Sequence, residues 1–128
     1  MAECKIGVVG VGRMGEYHVG VLSDMREAQL SGLVDSDQER AKKIAEKYKT
    51  YTYRSHKDLF SKVDAVVISV PTALHYSIAK EFIEAGIHTL LEKPCTNDLG
   101  QAEELFELAA KNNVTLQIGH VERFNGAV

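Results

Sequence analysis

Two patterns of hydrophobic and polar positions alternate along this chain of 128 residues. Short, nearly continuous apolar runs predict buried strands, and residues 65–70 (AVVISV) are the clearest of them. Between these runs, apolar residues recur three or four positions apart, as they do on one face of a helix. The strands are predicted at residues 5–9, 29–34, 52–53, 65–70, 88–91 and 114–118.

Four helices are predicted between the strands, and Gly86 follows the third, where a left-handed C-terminal cap would end it. The connections between strands are too long for hairpins, so the strands are expected to run parallel. The chain therefore has the pattern of an α/β fold: a doubly wound parallel sheet of about six strands in a three-layer α-β-α arrangement. The aligned positions are Met14, His18, Val21, Leu22 and Met25; Ala41, Ile44, Ala45 and Tyr48; His75, Ile78, Ala79, Phe82 and Ile83; and Ala102, Leu105, Phe106 and Ala109 within residues 99–112.

Composition is that of an ordinary globular chain, and the length suits one domain, residues 1–128. The net charge of −3 offers no basic face for nucleic acid, and no apolar run approaches the roughly 20 residues of a membrane span. No basic segment precedes the first apolar run, so no secretory signal is expected. Cys4 and Cys95 lack metal-ligand spacing and are expected to be free thiols in the cytoplasm; the histidines include no i,i+4 pair, so no metal site is predicted.

A glycine-rich turn follows the first predicted strand and opens the first helix, in the pattern G-x-G-x-x-G. Gly10 permits the tight turn, Gly12 lets a pyrophosphate approach the backbone, and Gly15 lets the helix pack close to the sheet. The helix N-terminus then offers unpaired N–H groups to the phosphates. This context predicts a dinucleotide-binding (Rossmann) turn whose contact residues are Gly10, Val11, Gly12, Arg13, Met14 and Gly15.

An acidic residue, Asp35, ends the second predicted strand, 20 residues after Gly15. A carboxylate there accepts hydrogen bonds from an adenosine ribose and repels a 2′-phosphate, which favours NAD over NADP as the cofactor. Asp35 or Asp37 could instead cap the next helix. Asp37 suits the cap and Asp35 the ribose, so both roles can coexist.

The strand at residues 88–91 ends abruptly on Glu92, Lys93 and Pro94. A solvated strand end stopped by proline would explain this triplet if it stood alone. In a doubly wound sheet, however, ligands bind at the carboxyl ends of the strands. An ammonium at residue 93 would then lie close to the nicotinamide, where it could stabilise a substrate alkoxide as hydride leaves.

Three stretches resemble the Gfo/Idh/MocA (glucose–fructose oxidoreductase / inositol dehydrogenase) family: GVGRMG at 10–15, residues 70–94, and IGHVERFN at 118–125. The resemblance implies an NAD-dependent dehydrogenase in which Lys93 is catalytic and, with Glu92, faces the nicotinamide. It also implies a cis bond at Pro94, and a cleft bordered by His120 and Arg123. The residues that would line the cofactor near its nicotinamide ribose are Ser69, Pro71, Thr72 and His75.

Members of this family carry a second, C-terminal α/β domain that covers the cofactor, contributes to catalysis and usually drives oligomerisation. The resemblance therefore implies that this chain is the cofactor-binding half of a homo-oligomeric enzyme and has little activity alone. The expected substrate is a sugar, polyol or nucleotide sugar, and the 119–125 stretch resembles the subset acting on the 3-hydroxyl of UDP-N-acetylhexosamines. Inositol or simple pyranose dehydrogenase, linear-tetrapyrrole reductase and, in another class, a non-catalytic nucleotide-sensing module remain alternatives.

Overall fold

Six strands form one parallel sheet in this computed structural model, which describes residues 4–93, 95–96 and 98–119. Each strand pairs in parallel with its neighbours, so the doubly wound sheet predicted from the sequence is confirmed. The strands are β1 (Cys4–Val9), β2 (Ala28–Val34), β3 (Thr52–Tyr53), β4 (Ala65–Ile68), β5 (His88–Leu91) and β6 (Leu116–Ile118).

The spatial order of the strands is β3-β2-β1-β4-β5-β6. From β1 the chain first builds outward through β2 and β3, and then returns to the other side of β1 to place β4. This reversal leaves a crevice at the carboxyl ends of β1 and β4, because the connections on its two sides diverge to opposite faces of the sheet. The fold thus predicts where a ligand would bind.

Within the described residues, four α-helices and two 3-10 helices connect the strands. Asp37 caps the second α-helix by accepting a hydrogen bond from the Arg40 amide at 3.1 Å, as the sequence predicted. Gly86 follows the third with a φ of +80°, a left-handed conformation that glycine adopts without strain. The helices are α1 (Arg13–Asp24), α2 (Gln38–Tyr48), α3 (His75–Glu84) and α4 (Leu99–Lys111), with 3-10 helices at His56–Ser61 and Thr72–Leu74.

Alternation along the central strands divides the core into two layers. In β4, Ala65 and Val67 pack with buried residues of α1 and α2, whereas Val66 and Ile68 pack with those of α3 and α4. Helices therefore cover both faces, which confirms the three-layer arrangement. Both faces of β4 being buried explains why its sequence is an unbroken apolar run. None of the helices in the described ranges has the length and apolar content needed to cross a bilayer.

Two strands are shorter than predicted. β4 ends at Ile68 rather than at residue 70, because the chain turns from there into the 3-10 helix Thr72–Leu74. β6 begins at Leu116 rather than at residue 114, since the Val114 amide donates to the Ala109 carbonyl and closes the end of α4. Local hydrogen bonds at the element ends thus outweigh the apolar pattern.

The prediction that Phe106 belongs to the core-packing stripe of residues 99–112 is wrong. Phe106 is 47% exposed, although it fits the helical spacing. In α4, Leu105 and Ala109 supply the buried contacts, so Phe106 lies beside the buried stripe and not within it. Helical spacing predicts which face of a helix is apolar, but it does not predict which residues at the edge of that face are buried.

Replacing Phe82 by Ala should lower the free energy of unfolding by about 3–5 kcal/mol, the usual cost of emptying a buried aromatic site. The Phe82 ring is fully buried and contacts the Phe60 ring edge-on at 5.0 Å between centroids. Phe106→Ala is the matched control and should cost about 1 kcal/mol or less, because its ring is half exposed. Urea unfolding of both variants measures the difference, and equal losses would contradict the assignment of the core.

Candidate functional site

A cavity of about 620 Å³ lies at the carboxyl ends of β2, β1, β4 and β5, where the strand order predicts a ligand site. It extends from Asp35 at one end, across the glycine turn, to Glu92 at the other. The structure therefore brings together residues that are far apart in the sequence. The predicted site residues that line it are Gly10, Gly12, Arg13, Met14, Asp35, Ser69, Pro71 and Glu92.

The three glycines of the turn meet different constraints. Gly10 has a φ of +91°, and a Cβ on it would lie 2.5 Å from the Ser69 carbonyl oxygen. A Cβ on Gly15 would lie 1.9 Å from the Gly10 carbonyl oxygen, so α1 can approach β1 this closely only without a side chain there. Gly12 has an ordinary φ of −68° and nothing within 4 Å of its Cβ position. The fold requires glycine at 10 and 15, while residue 12 leaves open space over the backbone.

The N-terminus of α1 faces this open space. The helix begins at Arg13, and its N-cap residue, Gly12, has no side chain to satisfy the amides of the first turn. Such amides carry partial positive charge and favour an anion. The open backbone around Gly12 and the amides of the first turn therefore fit a pyrophosphate.

Asp35 is buried at the end of β2, and its carboxylate is held on all sides. Oδ2 accepts from the Val11 amide at 2.7 Å, Oδ1 accepts from the Asp37 amide at 2.8 Å, and Arg40 Nη2 lies 3.0–3.1 Å from both oxygens. Burial alone would raise the pKa of Asp35, but the two amides and the Arg40 guanidinium outweigh it and lower the pKa below its ordinary value. Asp35 is therefore a fixed anion at this end of the cavity.

Three basic residues of the cavity were missed from the sequence. Arg40, Arg54 and His56 line it; Arg40 contacts Asp35, whereas His56 Nε2 lies 2.7 Å from Glu81 Oε2 of α3. Arg40 could have been found, because a helix capped by Asp37 places its first turn beside Asp35. Arg54 and His56 follow the carboxyl end of the short strand β3, which is where ligand-contacting side chains are expected in this fold.

The segment after β4 divides the predicted residues between the cavity and the core. Ser69 and Pro71 line the cavity, whereas Thr72 and His75 do not. His75 is buried, with its ring nitrogens 2.8 Å from the Cys95 carbonyl oxygen and 2.9 Å from that of Val70. This histidine ties the segment after β4 to the one after β5.

Glu92 and Lys93 occupy different environments at the end of β5. Glu92 lines the cavity, and its Oε1 lies 2.5 Å from Nε2 of His18, a fully buried residue of α1 that sequence reasoning had placed only on a helix face. Lys93 is exposed beside it. The remaining predictions here, the cis bond at Pro94 and the cleft residues His120 and Arg123, lie outside the described residues.

Fold and cavity together define a dinucleotide-binding domain of the doubly wound type. The chain belongs to the Gfo/Idh/MocA family, since the family model described as an oxidoreductase family with an NAD-binding Rossmann fold matches residues 4–120. A UDP-N-acetylglucosamine 3-dehydrogenase from Acidithiobacillus ferrooxidans is 35% identical over 128 residues, all of this chain. An inositol 2-dehydrogenase from Corynebacterium glutamicum is 32% identical over 94% of the chain. The chain spans 40% and 37% of the lengths of these relatives.

Solved structures of related oxidoreductases superpose closely on this chain. The A. ferrooxidans enzyme, GnnA, superposes with a TM-score of 0.89 at 36% identity, over 96% of this chain and 40% of that one. GenD2 from gentamicin A biosynthesis, in complex with NAD, superposes with a TM-score of 0.90 at 30% identity, over 93% and 35% of the two chains. KijD10, a 3-ketoreductase from Actinomadura kijaniata in complex with NADP, has a TM-score of 0.86 at 27% identity, over 91% and 38%. Relatives thus bind either dinucleotide.

Substituting two of the glycines should separate binding from folding. Gly12→Ser should keep or raise the free energy of unfolding, because serine is a good N-cap, yet its side chain should weaken NADH binding about tenfold or more by filling the open space. Gly15→Ala should instead lower the free energy of unfolding by about 1–3 kcal/mol or more, because its Cβ meets a carbonyl oxygen. Calorimetric titration and urea unfolding of both variants measure this, and a Gly12→Ser chain that binds NADH normally would contradict the pyrophosphate assignment.

Proposed function

We propose that this chain is the cofactor-binding half of a cytoplasmic NAD-dependent dehydrogenase that oxidises a secondary hydroxyl of a sugar, polyol or nucleotide sugar. The observation that carries the proposal is the cavity from Asp35 to Glu92, which crosses the open backbone at Gly12. Support for the substrate class comes from the relatives, which act on a nucleotide sugar or on inositol according to their names. A nucleotide sugar is the preferred substrate, and inositol is the alternative.

The proposed cofactor position follows from the order of the strands. A pyrophosphate over Gly12 places the adenosine toward β2 and Asp35, since β2 lies on one side of β1. The nicotinamide half then extends to the other side, toward Ser69, Pro71 and Glu92. The dinucleotide supplies a carbon that accepts hydride from the substrate. The residues of this chain would hold the nicotinamide ring, which contains that carbon, beside Lys93.

The proposed preference for NAD rests on the charge of Asp35. A 2′-phosphate on the adenosine would meet a buried carboxylate that its surroundings keep ionised. Arg40 opposes this effect, because its guanidinium is half exposed, contacts both carboxylate oxygens and could turn to bind a phosphate. We therefore expect NAD to be preferred, by a margin that Arg40 keeps small.

Titration of this chain with NADH and NADPH should show tighter binding of NADH. Asp35→Asn should reduce that preference by removing the repelling charge, and Arg40→Gln should increase it by removing a phosphate partner. Glu39→Gln is the matched control, since Glu39 lies on the same helix, is exposed and does not line the cavity. Equal binding of the two cofactors by the wild-type chain would remove the role assigned to Asp35.

The proposed role of Lys93 is to bind the substrate hydroxyl. Lys93 is exposed and directly follows Glu92, the cavity residue after β5, on the side where the nicotinamide would lie. There it would donate a hydrogen bond to the hydroxyl oxygen and stabilise the alkoxide that forms when this hydroxyl gives its proton to a base of the second domain; the alkoxide then becomes the carbonyl as hydride leaves. The proposed second domain, from the part of the enzyme that follows this one, would supply the rest of the substrate site and the contacts between subunits.

In the enzyme that contains this chain and its substrate domain, Lys93→Ala should lower kcat about 10²- to 10³-fold, the usual cost of removing one donor that stabilises charge in the transition state. NADH affinity should change little, because Lys93 does not line the cavity. Lys42→Ala, an exposed lysine on α2, is the control. Survival of turnover in Lys93→Ala would favour the nucleotide-sensing alternative and show the assignment of Lys93 to be wrong.

A further inference from the structure

A buried hydrogen bond joins α1 to the end of β5. His18 has no exposed surface, and its Nε2 lies 2.5 Å from Glu92 Oε1, across 74 positions of sequence. The other ring nitrogen, Nδ1, is buried and has no hydrogen-bond partner among the described residues. Among the described residues, Glu92 therefore provides the hydrogen-bond partner of the His18 imidazole.

Packing alone does not explain a histidine at this position. The neighbouring inward positions of α1, Val19 and Leu22, are apolar and fully buried, as a helix that covers a sheet requires. A buried imidazole with one unpaired nitrogen loses hydration that an aliphatic side chain would never have had. Leucine or methionine would fill the same space at lower cost, so the histidine is best explained by what its Nε2 holds.

Glu92 holds a defined place in the cavity. It lies at the end of β5, on the opposite side of β1 from Asp35, so it faces the nicotinamide half of a dinucleotide whose pyrophosphate lies over Gly12. A carboxylate there can accept hydrogen bonds from the ribose hydroxyls or the carboxamide of that half. A glutamate side chain has several rotatable bonds, and it binds more tightly when its orientation is set beforehand.

We propose that His18 is a positioning residue: its Nε2–H orients the Glu92 carboxylate to bind the nicotinamide riboside half of the cofactor. This inference rests on the proposed function, because it presumes that a dinucleotide occupies the cavity. Its consequence is specific. Loss of the hydrogen bond should weaken binding of NADH, which contains the nicotinamide riboside, and leave binding of free ADP, which lacks it, unchanged.

A matched pair of variants tests this, since methionine and glutamine have similar length and only glutamine carries a donor. His18→Met should weaken NADH binding to this chain about tenfold, the effect expected for one hydrogen bond to a charged group, while ADP binding stays within about twofold. His18→Gln should restore most of the NADH affinity. Calorimetric titration with NADH and with ADP at one pH and salt concentration gives both constants.

The control is Leu22→Ala, one turn along α1, which empties a buried site without touching Glu92. It should lower stability and leave the ratio of NADH to ADP affinity as in the wild type. If His18→Met does not fold, Glu92→Ala provides the same comparison from the partly exposed side of the bond, and it should also weaken NADH selectively.

Equal losses of NADH and ADP affinity in His18→Met or Glu92→Ala would overturn the proposal, as would a His18→Gln chain that binds NADH no better than His18→Met. A wild-type chain that binds ADP and NADH equally well would overturn it too, because the nicotinamide half would then contribute nothing. A wild-type chain that binds neither ligand would instead overturn the proposed function itself.

Discussion

The close approach of α1 to β1 is the constraint on which the site depends. A Cβ on Gly15 would lie 1.9 Å from the Gly10 carbonyl oxygen, so the first turn of the helix can occupy its position only because that atom is missing. Three features follow from this one contact. The helix N-terminus points into the crevice, the backbone at Gly12 stays open, and His18, one turn further along, reaches Glu92. The close approach that Gly15 permits therefore sets both the open backbone at Gly12 and the contact between His18 and Glu92.

Hydrogen bonds fix the charged ends of the cavity against this framework. The Val11 amide donates to Asp35 at 2.7 Å, which joins the glycine turn to the end of β2, and the His18 imidazole joins α1 to the end of β5. Asp35 is thus held by the glycine turn and Glu92 by the helix that follows it, and neither carboxylate is held only by its own strand. A dinucleotide that binds between them meets groups already in place, so less ordering opposes its binding. Arg40 is the exception, because its half-exposed guanidinium can exchange partners.

Sequence patterns were sufficient for the fold because each central strand is buried on both faces and each helix carries a regular apolar stripe. They also predicted the positions of the glycine turn, after β1, and of Asp35, at the end of β2, because the spacing between them is set by one strand–helix–strand unit. Sequence patterns failed where burial depends on packing against other elements. Phe106 fits the helical spacing yet lies outside the buried stripe. The pairing of His18 with Glu92 was also beyond them, since each residue has a sufficient local explanation and only the tertiary structure brings them to 2.5 Å. The spacing of apolar residues predicts which face of a helix or strand is buried, but it does not predict which residue of another element that face contacts.

In the proposed function, the contrast between Glu92 and Lys93 separates cofactor binding from chemistry. Adjacent residues at a strand end point in opposite directions, and here the first lines the cavity while the second is exposed. An exposed ammonium group is strongly hydrated, and its attraction for a developing alkoxide is weak in water of high dielectric constant. The same group becomes effective when a covering surface excludes water, because the interaction then occurs in a medium of lower dielectric constant. In the function proposed here, the described residues are sufficient to hold a dinucleotide, and Lys93 becomes catalytic only when substrate and a further part of the enzyme cover it.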